Sequence, residues 1–188
     1  SMSTSDFMAG RLRFNGSATG EVRNQGSIVA AAGGYVLLAG PRVFNEGVIE
    51  APHGTVGLAA GSHVTIDREG DGLVKFAVDA GAIGALVSNS GTINAQGGAI
   101  TLVGNTLDGA LSTVVNQSGI VRANAVESQG GMITLRAIGG DAVVTGRIEA
   151  NGTGAGATGG EVRVLGDRVG LFDAASISAT GTAGGGTV

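Results

Sequence analysis

Two histidines and one acidic run are the residues of this chain whose chemistry could support catalysis or metal binding. His53 and His63 lie ten residues apart, but a zinc site needs a third protein ligand and a general base needs a positioned carboxylate. Asp67, Glu69 and Asp71 could hold calcium in a loop, yet their spacing lacks the bidentate acid of an EF-hand. A turn role for His53 and a solvated acidic turn are favoured. The sequence therefore predicts no catalytic residue, no metal site and no cofactor.

Carboxylates gathered on one face of a protein could also cleave polysaccharides. One outward position recurs in six copies of a repeat, and the residues found there are Val29, Glu50, Asn94, Arg122, Glu149 and Ser178. Arg122 and Glu149 come from consecutive copies and are expected to stack as an exposed ion pair. Because this set contains no paired carboxylates, a structural role is favoured, and a carbohydrate-active enzyme is the alternative.

The repeat that supplies these positions is an aliphatic residue, a variable residue and an alanine, followed by a short spacer and an alternating segment. The aliphatic anchors are Ile28, Ile49, Ile93, Val121, Ile148 and Ile177. The steps between successive anchors are 21, 44, 28, 27 and 29 residues. A unit of this size that recurs along a chain is typical of a solenoid.

The segment that follows each spacer alternates with a period of two. Aligned on the paired glycine or its substitute, five copies place aliphatic residues two and four positions further on. The first column holds Val36, Val56, Ile100, Ile133 and Val162, and the second holds Leu38, Leu58, Leu102, Leu135 and Val164. The residue between the columns varies from Thr101 to Arg163, as expected of a strand with one buried face. Both columns and the anchors are predicted to form the core.

Short strands joined by glycine-rich turns, with no helix-length segment between them, predict an all-β chain that coils on itself. Three strands per repeat give a triangular coil, and stacked coils form a parallel β-helix. Glycine supplies 37 of the 188 residues, which suits sharp corners. Asparagines precede the anchor in four units and are predicted to form turns with stacked amides: Asn24, Asn45, Asn89 and Asn116. Asn116 stands one residue further from its anchor, which predicts a one-residue bulge there.

Composition limits the partners. The net charge is −4, with eleven scattered basic residues, so no nucleic-acid partner is expected. No apolar stretch reaches the length of a membrane span. The chain has no cysteine, which excludes disulfides and thiolate metal sites and is compatible with export through an oxidising envelope.

One stretch departs from the repeat, and both ends suggest an excised piece. The 44-residue step is interpreted as one coil plus a hairpin inserted outside the helix over residues 68–87. Ser1 and Met2 resemble a cloning scar, and the last glycines stop where the sixth unit should begin its central strand. Residues 1–188 are therefore expected to be one β-helix fragment of a larger protein.

Several phrases, in this order, resemble filamentous-haemagglutinin-type exoproteins of Gram-negative bacteria. They are residues 6–11 with Phe14, then 24–36, 54–61, 70–73 and 114–116. The resemblance covers most of the chain and implies a right-handed parallel β-helix at the end of a secretion domain and the start of a fibrous shaft. The family's Asn-Pro-Asn signature is missing and would lie upstream of Ser1.

The resemblance also implies function. Members are exported by two-partner secretion, in which an outer-membrane transporter recognises the secretion domain, here through upstream residues. The expected product is a secreted or surface-exposed adhesin that attaches to host or bacterial surfaces or matrix through a ligand the sequence does not specify. A contact-dependent inhibition toxin with this rod as its stalk is the other alternative.

Overall fold

The structure, a computed structural model, describes residues 12–15, 20–67, 75–107, 113–126 and 130–188. These ranges contain twenty strands and no helix. In chain order the strands are β1 (Leu12–Asn15), β2 (Glu21–Asn24), β3 (Ser27–Val29), β4 (Tyr35–Gly40), β5 (Arg42–Asn45), β6 (Val48–Glu50), β7 (Thr55–Ala60), β8 (His63–Asp67), β9 (Lys75–Ala80), β10 (Leu86–Asn89), β11 (Thr92–Asn94), β12 (Ala99–Asn105), β13 (Thr113–Gln117), β14 (Ile120–Arg122), β15 (Met132–Ile138), β16 (Asp141–Val144), β17 (Arg147–Glu149), β18 (Glu161–Leu165), β19 (Val169–Leu171) and β20 (Ser176–Ser178).

Seventeen of these strands form three parallel sheets that share one order of coils. Sheet I runs β2-β5-β10-β13-β16-β19, sheet II runs β3-β6-β11-β14-β17-β20, and sheet III runs β4-β7-β12-β15-β18. Each of the first five turns of the chain adds one strand to each sheet, directly beside the strand of the previous turn, and the sixth adds β19 to sheet I and β20 to sheet II. The prediction of an all-β parallel β-helix with three strands per coil is confirmed.

The structure places the aliphatic columns inside the tube, with each residue paired to its counterpart in the next coil. In sheet II the paired residues are Ile28, Ile49, Ile93, Val121, Ile148 and Ile177. In sheet III they are Val36, Val56, Ile100, Ile133 and Val162, and Leu38, Leu58, Leu102, Leu135 and Val164. Side chains in the middle coils are fully buried, which stabilises the fold by about 1.5–3 kcal/mol each. Those near either end are partly exposed, because fewer coils cover them.

Glycines form further columns at the corners, where successive coils touch backbone to backbone. Between sheets I and II stand Gly26, Gly47, Gly91, Gly119 and Gly146. A Cβ added to any of the last four would lie 2.1 Å from the carbonyl oxygen of the glycine one coil earlier. None of these five has a positive φ. Close approach, rather than the backbone angles that the sequence suggested, excludes a side chain here.

A small antiparallel sheet outside the tube accounts for the long step between anchors. β8 pairs with β9 and with β1, and the resulting sheet covers part of the outer face of sheet III. Val64 and Val78 are buried there against Ala59 and Val103. The Phe76 ring lies over Gly57, where a Cβ would be 2.3 Å from the Phe76 Cε1.

The bounds of this insertion differ from the predicted 68–87. The paired strands lie at 63–67 and 75–80, residues 86 and 87 belong to β10 inside the coil, and 68–74 lie outside the described residues. Val64 explains the earlier start, because it supplies apolar surface to the contact with Ala59 and Val103 before the acidic run begins.

The glycine column generates a stability test. We expect Gly119→Ala to lower the free energy of unfolding by about 1–3 kcal/mol, because a new methyl group would meet a backbone oxygen that cannot move alone. Gly26→Ala is the matched control: it is the first member of the same column, with nothing within 4 Å of the added Cβ. The control should change stability by less than about 0.5 kcal/mol. Urea unfolding followed by circular dichroism measures both, and equal losses would contradict close approach as the reason for glycine.

Candidate functional site

A row of buried amides runs through the tube along sheet I, and we call it the amide ladder. Asn24 Nδ2 donates to Asn45 Oδ1 at 2.8 Å, and Asn45 Nδ2 donates to Asn89 Oδ1 at 2.7 Å. Asn89 Nδ2 then donates to Gln117 Oε1 at 2.8 Å. The Gly26 N–H donates to Asn24 Oδ1 at 3.2 Å, which fixes the orientation of the first amide. All donors therefore point towards the later coils.

The fourth member of the ladder is Gln117, so the assignment of Asn116 to it is wrong. Strand pairing sets Gln117 beside Asn89 and Asn116 beside Ser88. Gln117 is fully buried, whereas Asn116 is only partly buried. The bulge predicted between Asn116 and its anchor is not found there, because Gln117 itself keeps the four-residue spacing to Val121 that Asn89 has to Ile93. That spacing was the signal in the sequence. β13 does have a register shift, but it lies before Asn116, between Thr113 and Val115, in the pairing with β16.

The ladder ends abruptly after Gln117. The next coil places Val144 beside it, and Leu171 follows in the coil after that. Gln117 Nε2 is buried and has no hydrogen-bond partner. Because amides in the ladder are inside the tube, their chemistry is directed at neighbouring coils rather than at a ligand. The ladder holds the register between coils.

The outer face of sheet II carries polar contacts between coils but no catalytic pair. Arg122 Nε donates to Glu149 Oε2 at 2.7 Å, which confirms the expected stack. Asn151 Oδ1 accepts from Ser178 Oγ at 2.7 Å and from the Thr180 N–H at 2.8 Å. Partly exposed pairs of this kind contribute about 0–1 kcal/mol. Glu50 pairs with Asn94 and Glu149 with Arg122, so neither carboxylate has an acidic neighbour in its own column.

The outer face of sheet I has one charged and aromatic group at each end. In the early coils the Phe44 ring has Arg23 at 4.4 Å and Arg42 at 5.3 Å from its centroid. Glu21 accepts from Arg23 Nη2 at 2.9 Å, and this hydrogen bond raises the pKa of the Arg23 guanidinium. Ring and guanidinium groups lie close enough for cation–π attraction, which orders the side chains of this face.

The late coils carry the second group. Arg168 Nε and Nη2 donate to the two carboxylate oxygens of Asp141 at 2.9 and 2.7 Å. Hydrogen bonding to Asp141 raises the pKa of Arg168, which therefore keeps its charge. Phe172, nearby, is 56% exposed. Sequence reasoning missed both groups, because the residues involved are separated by a whole coil along the chain.

The histidines are not part of a catalytic arrangement. His53 has a φ of 55°, the left-handed conformation that Gly33 and Gly97 adopt at the same corner, so its turn role is confirmed. Ser62 Oγ lies 3.0 Å from His63 Nδ1, but this hydroxyl donates to the Gly81 carbonyl oxygen at 2.8 Å and is not activated by the ring.

No metal centre or membrane helix is found in the part of the chain that the structure describes. No three His, Asp or Glu side chains among those residues converge closely enough to hold a metal ion. Glu69 and Asp71 of the acidic run lie outside the described residues, and so does the side chain of Asp67. Within the same ranges no helix is long and apolar enough to cross a bilayer.

The similarity of this chain to a known protein is found in its three-dimensional structure. No protein-family model matches the sequence, and no curated protein matches it either. Superposition with solved structures aligns 96% of this chain with a TM-score of 0.80 and 29% sequence identity. The matching structure is the HMW1 secretion domain from Haemophilus influenzae. The chain spans 46% of the length of that HMW1 structure.

The match with the HMW1 secretion domain extends beyond a shared architecture of short strands. A superposition that includes nearly the whole chain must also accommodate its corners, and the sequence identity accompanies it. The matched HMW1 structure is that of a secretion domain. None of the groups described above is arranged as a nucleophile with its base or as a pair of carboxylates around a cleft.

The amide ladder generates a second stability test. Asn89→Ala removes the donor to the buried Gln117 Oε1 and the closer of two acceptors of Asn45 Nδ2, which keeps only the Gly47 carbonyl oxygen at 3.4 Å. An unsatisfied buried group of this kind costs about 1–3 kcal/mol. Asn116→Ala removes an amide that only partly contacts the protein, and should change the free energy of unfolding by less than about 0.5 kcal/mol. Urea titration of both variants measures the difference. A loss at Asn116 as large as that at Asn89 would contradict the ladder assignment.

Proposed function

We propose that this chain is a non-enzymatic segment of a large exoprotein of the filamentous-haemagglutinin type, exported by two-partner secretion. It would form the late part of the secretion domain and the start of the shaft. The observation that carries the proposal is the match to the HMW1 secretion domain over 96% of this chain. The ordered phrases quoted above, from Asn24 to Val36 and beyond, support the same assignment independently.

The fold suggests how export and folding are coupled. A parallel strand at the end of a stack presents free N–H and C=O groups to the next coil, so each completed coil is a template for the following one. The fourth coil, for example, buries Val121, Ile133 and Leu135 completely. At about 1.5–3 kcal/mol for each side chain, folding outside the cell would draw the emerging chain forward without ATP.

The absence of cysteine fits the same route. A chain with no thiol crosses an oxidising compartment without forming bridges that would block a transporter. The tube obtains its stability from repeated aliphatic and backbone contacts, which exist only once the coils have stacked. One sequence can therefore remain unfolded while it crosses the transporter and form a stable rod once it is outside the cell.

We further propose that the exported protein functions in adhesion. A tube of stacked coils holds distant segments of a protein at a defined separation from the cell, which a surface adhesin requires. The product would be secreted or retained at the surface of a Gram-negative bacterium, with the transporter recognised through residues upstream of this segment. Attachment itself would reside partly or wholly in other regions of the protein.

Export of a chimaera tests the proposal. This chain would replace the structurally equivalent part of the HMW1 secretion domain, in a host with and without a transporter that exports the HMW1 domain. We expect transporter-dependent release of the chimaera into the medium, measured by immunoblotting. Ile133→Asp should abolish the release of folded product, because it places a charge inside the tube. Met132→Asp, at a neighbouring position whose residue is 46% exposed, should be released normally.

Two outcomes would contradict this account. Failure of the unsubstituted chimaera to leave cells that export the intact HMW1 domain would remove the assignment to a secretion domain. Equal release of the Ile133→Asp and Met132→Asp chimaeras would show that stacking of coils does not drive export. Protease resistance of the released material distinguishes folded from unfolded product in each case.

A further inference from the structure

The amide ladder has a direction, and that direction is set at its first member. The Gly26 N–H donates to Asn24 Oδ1 at 3.2 Å, so Asn24 uses its amide nitrogen as the donor to the next coil. Each later amide then accepts from the coil before it and has its own donor for the coil after it. A row of amides with one orientation leaves one donor over at its last member, which is Gln117.

The surplus donor lies where water does not reach it. Gln117 is fully buried, and its Nε2 has no hydrogen-bond partner among the residues that the structure describes. Asn45 and Asn89 each have a second acceptor, because their Nδ2 atoms lie 3.4 Å from the carbonyl oxygen of the corner glycine two residues further on. Gln117 is one methylene group longer, and its Nε2 makes no such bond. The fourth coil therefore presents an unsatisfied N–H to the fifth.

The fifth coil offers no acceptor side chain to this donor. Strand pairing sets Val144 beside Gln117. The same pair of strands, β13 and β16, has a register shift between Thr113 and Val115. No other parallel pair among the described strands has such a shift. An irregularity in hydrogen bonding and an irregularity in register therefore coincide where the fifth coil joins the fourth along sheet I.

Sheets II and III are regular at this same junction. In sheet II Ile148 pairs with Val121, and in sheet III Val162 pairs with Ile133. Neither strand pair has a register shift, and each of these four side chains is almost completely buried. The fifth coil is therefore held on the fourth more firmly along two sides of the tube than along sheet I.

We propose that the junction between β13 and β16 is a built-in opening point, where the tube opens along sheet I while sheets II and III serve as the hinge. A buried N–H without a partner destabilises the closed form, and opening lets water bind it. The local opening equilibrium is thereby shifted by about tenfold, or about 1.4 kcal/mol, relative to the earlier junctions of sheet I. The rod bends at this defined position, and the inference is independent of the proposed export route.

Backbone amides at the corners between sheets I and II provide matched reporters of opening. At each of these corners two N–H groups donate to the backbone carbonyl oxygen of the ladder residue one coil earlier. Ser118 and Gly119 do so at the junction of the third and fourth coils, both at 2.9 Å. Thr145 and Gly146 do so at the junction of the fourth and fifth, at 2.9 and 3.1 Å. Because the four bonds are alike, a difference in their hydrogen exchange reports how readily each junction opens.

Native-state hydrogen exchange of the ¹⁵N-labelled chain, followed by nuclear magnetic resonance, tests the inference. We expect the amides of Thr145 and Gly146 to be protected about tenfold less than those of Ser118 and Gly119. Fraying from the end of the chain would lower protection in every sheet of the fifth coil, so Glu161 in sheet III is the internal control. Its N–H donates across the same junction at 3.1 Å and should keep the higher protection.

Val144→Asn supplies the acceptor that the ladder lacks. Val144 stands four residues before its anchor, as Asn89 does. An asparagine there accepts from Gln117 Nε2, and the Gly146 carbonyl oxygen is available to its own Nδ2. We expect the protection of Thr145 and Gly146 to rise about tenfold in this variant, to the level of the earlier corner.

Val115→Asn is the matched control. Val115 is as fully buried as Val144 and lies in the same sheet, but its neighbours Val87 and Ala142 offer no amide. The new polar group should therefore lower the urea midpoint of unfolding. Val144→Asn should leave that midpoint unchanged or raise it, although it also places a polar side chain inside the tube.

Three results would overturn the inference. The first is equal protection of Thr145 and Ser118 in the unsubstituted chain. The second is protection of Glu161 as low as that of Thr145, which would show that the whole coil frays. The third is a loss of urea midpoint in Val144→Asn as large as that in Val115→Asn.

Discussion

Parallel stacking of each coil in register on the previous one is the constraint on which the rest of this structure depends. Neighbouring strands in a sheet are separated by about 4.8 Å, so equivalent residues of successive coils are placed in nearly identical surroundings. A position that faces the core does so in every coil. The same chemistry must therefore recur at intervals of one coil, as aliphatic on aliphatic, amide on amide and glycine on glycine.

Three kinds of column satisfy this constraint, through apolar burial, hydrogen bonding and close approach of the backbone. The aliphatic columns exclude water, and they tolerate exchange among Val, Ile and Leu because burial has no directional requirement. The amide ladder is directional, because each Nδ2 needs an oxygen in the next coil, and a valine at position 144 ends it. The glycine column depends on the absence of atoms, since the 2.1 Å approach leaves no room for a methyl group.

The parts of the fold that obey the column rule could be predicted from the sequence. Ile93, Ile100 and Leu102 occupy positions whose period of two and recurrence in other units require no knowledge of distant contacts. The expectation for Asn116 is wrong because its spacing to Val121 places it beside Ser88, and Gln117 makes the hydrogen bond from the position beside Asn89. Either an asparagine or a glutamine side chain can bridge two coils, but only from a position that faces the inside of the tube.

Features outside the tube could not be read from the pattern. The contact of Phe76 with Gly57 depends on how a hairpin lies across sheet III, and no repeat encodes that placement. The Asp141–Arg168 ion pair joins side chains from two coils, and no repeat in the sequence encodes that contact. Irregular spacing in the sequence shows where a coil departs from the repeat. The contacts that the residues make at that place depend on neighbours that only the fold brings together.

Disulfide trapping tests the stacking of coils most directly, because the chain has no cysteine of its own. Thr134 and Arg163 are paired neighbours in adjacent coils on the outer face of sheet III. Their Cα separation of about 4.8 Å lies within the range of about 4.4–6.8 Å that a disulfide bridges. The Thr134→Cys, Arg163→Cys variant should cross-link in the folded protein under mild oxidation. Thr101→Cys with Arg163→Cys, two coils apart at about 9.6 Å, should remain reduced. Failure of the first pair to cross-link, or equal cross-linking of both, would contradict the stacked register.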